Sequence, residues 1–132
     1  MNKEIFRDAS GKRFSKRFPV SQELIDDILN NELKDFRFPI KPVYNPRIRD
    51  NGKVVGELYS WGGFKRIKAI EIGKQDINTR EFLTDTLLHE FYEAEIMIKQ
   101  HSHDFYNQLH EATESERHAW IDAKILEFFD GR

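Results

Sequence analysis

Apolar positions along the chain change their period from one stretch to the next. In residues 21–36, SQELIDDILNNELKDF, the positions Leu24, Ile25, Ile28, Leu29 and Leu33 recur near the spacing of one helix face. Glu23, Asp26 and Asp27 stand early in the run, where the helix dipole favours negative charge. This predicts an amphipathic helix. Pro39, Pro42 and Pro46 in FRFPIKPVYNPR end it, because proline has no amide hydrogen and clashes with the preceding turn. Residues 1–20 show neither period and are expected to be an irregular segment ending near Pro19.

The next stretch, KVVGELYSWGGFKRIKAIEIG, is rich in β-branched and aromatic residues. Val54, Val55, Leu58 and Tyr59 precede the turn signal Ser60-Trp61-Gly62-Gly63, and Phe64, Ile67, Ala69, Ile70 and Ile72 follow it. Two antiparallel strands joined by a Gly-Gly turn are predicted, with Gly73 closing the second. Asn78-Thr79-Arg80-Glu81 has the form of a capping box led by asparagine, and it opens the helical run REFLTDTLLHEFYEAEIMIKQ. A second box, Thr113-Glu114-Ser115-Glu116, opens a helix in which Trp120, Ile121, Ile125 and Phe128 or Phe129 share a face and which Gly131 ends. Between the two, HSHDFYNQLHEA reads as a connection or a short helix. Helix, hairpin, long helix, short segment and helix make an α+β fold over residues 1–132, read as one domain without internal repeats.

Composition narrows the chemistry open to this fold. A chain of 132 residues with 39% hydrophobic and 13% aromatic content can bury an ordinary core. Cysteine is absent, so disulfides and thiolate zinc sites are excluded, and any metal must sit on His, Asp or Glu. No apolar run approaches the roughly twenty residues a bilayer requires. The opening MNKEIFRDASGKRF lacks the apolar region of a signal peptide, and a soluble, cytoplasmic protein is expected. The net charge of −2 conceals an asymmetry: residues 1–80 hold 17 basic and 11 acidic residues, residues 81–132 hold 4 and 12. All five histidines lie in the acidic part, a combination that suits cation binding and is also what a solvated helix face looks like. The basic stretch KRFSKRF at residues 12–18 interleaves two phenylalanines with four charges, which argues for a solvated segment more than for nucleic acid.

Residues 87–97, LLHEFYEAEIM, carry the candidate chemistry. Positions four apart on a helix lie one above the other, so His89 and Glu93 can aim an imidazole nitrogen and a carboxylate oxygen at one point. Glu90 points about 100° round the helix and is placed as a general base towards a water that the metal activates. That division of labour gives the His-Glu-x-x-His signature its meaning, and a carboxylate in the second ligand position preserves ligation to zinc. A catalytic zinc needs a third protein ligand. His118, early in the last helix, is ranked first. Glu116 and Glu114 are rivals, Glu116 already having a task in the capping box, and His101 and His103 are further alternates.

The stretch KAIEIG...TREFLTDTLLHEFYEAE...SERHAWIDAKILEFF resembles the core of small zincin-like metallopeptidases, the gluzincin type found among phage and mobile-element proteins. The resemblance spans about residues 64–129. It implies a strand before the signature helix and a following helix that gives the third ligand just before a small residue, where His118-Ala119 stands in place of Glu-Ala. Carried over by position, His89 is the first ligand, Glu90 the base, Glu93 replaces the second histidine and His118 replaces the glutamate. One zinc ion, with Mn²⁺ as the harder substitute, and hydrolysis of a peptide or protein substrate are the implied cofactor and activity. Tyr92, Tyr106, His101 and His103 are candidates to stabilise the oxyanion. The strand at residues 68–72, if it lies at the sheet edge, could pair with an extended peptide.

Two other readings stay open on the same residues. Glu90, Glu93 and Glu95 could form a solvated face on a non-enzymatic accessory protein that binds a protein or nucleic-acid partner through Trp61, Phe64 and the basic first half. A degenerate zincin could instead keep a structural metal, closed by His101, His103 or His110 as a fourth ligand.

Overall fold

The computed structural model describes residues 5–7, 13–15, 19–60, 64–98 and 113–131. Its elements run β1 (Ile5–Arg7), β2 (Arg13–Ser15), α1 (Gln22–Asn30), β3 (Val43–Tyr44), β4 (Gly52–Leu58), β5 (Phe64–Ile72), α2 (Arg80–Ile98) and α3 (Glu114–Asp130). Among the described residues this is an α+β arrangement of a three-stranded sheet, a separate two-stranded pair and three helices.

Strands β1 and β2 correct the expectation of an irregular start. They pair antiparallel, with Phe6 opposite Phe14. Three-residue strands are too short for an alternating pattern to stand out from the surrounding charges.

Helix α1 starts where the sequence places it. Ser21 caps it, its Oγ accepting the Leu24 amide at 3.1 Å. It stops at Asn30, earlier than the apolar spacing suggests. Asn31 donates its amide to Asp27 O and Ile28 O, and Leu33 donates to Ile28 O at 3.0 Å, so Leu33 reaches the core from a turn rather than from a helix.

The three-stranded sheet has the order β3-β5-β4. β4 and β5 form the predicted antiparallel pair, with Gly52 opposite Ile72 and Leu58 opposite Phe64. β3 was not expected in a proline-rich stretch. It pairs parallel to the end of β5, Val43 with Glu71 and Tyr44 with Ile72, and two residues carry no readable period. The Gln22 side chain covers its other edge as a strand would, donating to Pro42 O at 3.1 Å and accepting the Tyr44 amide at 2.8 Å. β5 is therefore central, so the condition for peptide pairing along residues 68–72 is not met, and among the described residues the outer edge of β4 is unpaired.

Helix α2 packs against β5, β4, α3 and α1. Leu83, Leu87, Leu88, Ala94 and Ile96 are buried on it, so apolar positions surround much of its circumference, as expected of a central helix. Ile70 and Ile72 of β5, Ile25 and Ile28 of α1, and Ile121 and Ile125 of α3 complete the core. Arg80 at the start of α2 is buried and grips the end of α1: its Nε and Nη2 donate to Glu32 at 2.6 and 2.8 Å, and Nη2 lies 2.5 Å from Asp27 Oδ2. No helix among the described residues is long and apolar enough to cross a membrane.

Candidate metal centre

The site is built on the middle of α2 and the first turns of α3. Thr79 caps α2, its Oγ1 accepting the Phe82 amide at 3.0 Å, one residue later than the Asn78 box predicted. The hydroxyl of Thr79 is the group in reach of the third amide beyond it, and that moves the helix start to Arg80. On α3 the predicted box forms: the Glu116 amide donates to Thr113 Oγ1 at 3.2 Å, and the Thr113 amide donates to Glu116 Oε1 at 3.4 Å. Ile121, fully buried, seats α3 against the core and brings His118 over α2.

His89 Nε2 lies 3.1 Å from Glu93 Oε2, the one-turn pairing that the spacing predicts. The rings of His89 and His118 stand 5.4 Å apart between centroids, with their planes at 72°. Each of His89, Glu93 and His118 offers one donor atom, and these atoms all lie within 4.8 Å of one another. A tetrahedral zinc with bonds of about 2.0–2.1 Å needs its ligand atoms about 3.4 Å apart, so modest side-chain rotations would close the set around an ion. Two imidazoles and one carboxylate, all partly buried, are also the right donor types for that metal.

Among the described residues this group contains none of the rivals. Glu116 and Glu114 lie at the exposed start of α3, Glu116 engaged in the capping box. The Tyr92 ring packs edge-on against Trp120 at 5.6 Å and Phe36 at 6.4 Å. His101, His103, Tyr106 and His110 lie outside the described residues, as do Trp61 and the whole of the 101–112 connection.

Glu90 is 6% exposed and turns towards the start of β4, where Gly52 meets it. Burial pushes its carboxyl up to about 7, against the pull of His89 and with help from the negative charges of Glu93 and Asp50. The hydrogen bond from His89 holds Glu93 below the usual carboxylate range, and the same bond raises His89 above the usual imidazole value despite its burial. Asp85, one turn before His89, is raised by burial, with His89 opposing and Asp122 and Glu81 adding to the shift.

Gly52, Asp50 and Asp122 reach this neighbourhood through the fold and carry no local signal. Asp85 does carry one, the four-residue spacing to His89. Comparison of the chain with protein-family profiles, curated proteins and solved structures finds no match.

Proposed function

We propose that the protein is a metal-dependent hydrolase of the zincin type, a metallopeptidase in which His89, Glu93 and His118 hold one zinc ion and Glu90 is the general base. The observation that carries this reading is the convergence of three metal-type donors from two helices to within 4.8 Å, with a buried carboxylate one residue along the same helix. A bound divalent metal would polarise the scissile carbonyl and acidify a water. Glu90 takes the proton from the attacking water and passes it to the leaving amine, and a carboxyl that burial pushes up to about 7 can both accept and return a proton near neutral pH. His89 and Glu93 keep each other oriented through their 3.1 Å contact, so a ligand pair stands ready on one face of α2.

An extended peptide would pair with the outer edge of β4, because β5 is enclosed by β4 and β3 at its C-terminal end. β4 begins at Gly52, the residue beneath Glu90. The test is digestion of a peptide library by zinc-loaded protein and by Glu90→Gln. Cleavage by the wild type that falls by about 10²–10⁴ in the variant, with zinc retained, supports the assignment. Undiminished cleavage by the variant contradicts it, and bound zinc without any cleavage by the wild type contradicts the hydrolase.

A further inference from the structure

We infer that Gly52 is a positioning residue, the floor that fixes the orientation of the Glu90 carboxylate; this rests on the reading of Glu90 as the base. A Cβ at position 52 would lie 2.7 Å from Glu90 Cγ and 3.0 Å from both Cδ and Oε1. The three nearest atoms all belong to Glu90, so any side chain at 52 strikes that group first. Glycine lets the carboxylate side chain lie directly on the strand backbone.

The strand start is itself tied to the same face of α2. Gln75 Nε2 donates to Asn51 O at 2.8 Å and to Gly73 O at 2.9 Å, while Thr86 Oγ1 donates to Gln75 Oε1 at 2.6 Å. Thr86 is one helical turn before Glu90, so one face of α2 contacts the end of the sheet twice, through a hydrogen-bond relay and through Gly52. A glutamate has three rotatable bonds, and the backbone on which its side chain lies selects among its rotamers. A methyl group at 52 forces Glu90 Cγ into another rotamer, and none of its three nearest atoms belongs to His89, Glu93 or His118.

The experiment uses full-length protein loaded with Co²⁺, whose visible absorption reports both metal binding and the binding of acetohydroxamate. This probe chelates a metal through its oxygens and donates its hydroxyl to a neighbouring carboxylate. Gly52→Ala, Glu90→Gln and the double variant are expected to bind Co²⁺ within about threefold of the wild type. Acetohydroxamate binding should weaken by about tenfold or more in each single variant, the scale of one charge-assisted hydrogen bond. In the double variant it should be no weaker than in Glu90→Gln alone, because Gly52 acts only through Glu90.

Additive losses, or wild-type affinity in Gly52→Ala, overturn the inference while leaving the metal centre intact. Failure of the wild type to bind Co²⁺ sinks the metal reading and the inference with it. Should Gly52→Ala not fold, Thr86→Val removes the relay's hydroxyl at nearly constant volume. It is expected to weaken acetohydroxamate but not Co²⁺, and unchanged acetohydroxamate affinity there overturns the inference as well.

Discussion

The imidazole rings of His89 on α2 and His118 on α3 stand edge to face, with centroids 5.4 Å apart. Neither helix alone supplies the pair. Whatever holds α3 on α2 therefore also holds the candidate metal centre together.

Ile121 is the first test of that dependence. It is fully buried one turn beyond His118, and truncation to alanine leaves a cavity between α3 and the core. Ile121→Ala is expected to cost about 2–4 kcal/mol in urea denaturation. Zinc affinity should fall with it although no donor atom is touched. Unchanged zinc affinity in a destabilised variant would show that the donors do not depend on how α3 is seated.

Arg80 ties α1 to the start of α2 through Glu32 and Asp27. Replacing it with methionine strands the nearly buried Glu32 without its counter-charge and is expected to destabilise the fold by about 3 kcal/mol. Removing both charges, with Arg80→Met and Glu32→Leu together, should recover much of that loss, because two desolvation penalties disappear with the pair. Equilibrium unfolding of the three variants checks this, and a double variant as unstable as the single one would contradict it.

Glu90 gives a pH dependence of definite sign in metal-free protein. Its native pKa of about 7 lies above its ordinary 4.5, so between those values the native state binds more protons than the unfolded chain. Stability from this group is full at low pH and falls as pH rises to about 7. Glu90→Gln removes the dependence. The variant should gain on the wild type by at most about 3 kcal/mol at pH 8, with the gain vanishing towards pH 4.5. A difference between the two proteins that does not change with pH would show that the carboxyl is not held in its protonated form.

What the sequence disclosed was local. The Thr113-Glu116 box and the His89-Glu93 pair each lie within one turn, so spacing alone reports them. The expected place of His118 required two helices to pack, and the apolar stripe of Ile121 and Ile125 supplied that hint. Spacing misjudged the end of α1, because Leu33 keeps the helical interval while sitting in a turn. It also missed β3, two residues among prolines whose pairing partner is the distant end of β5. The central position of β5 follows from that same partner and could not be read without it. Gly52 under Glu90 is a contact through space between a strand and a helix, and nothing in GKVVGEL marks the first glycine as different from the second.

The central claim is that one metal ion bridges α2 and α3. Zinc titration of metal-free, untagged protein by calorimetry, with His118→Ala and His89→Ala in parallel, tests it most directly. One equivalent should bind to the wild type, and each alanine should weaken it by at least about a hundredfold, more than loss of a supporting hydrogen bond would. A wild type that takes up no zinc, or a His118→Ala variant that binds it undiminished, would contradict the account.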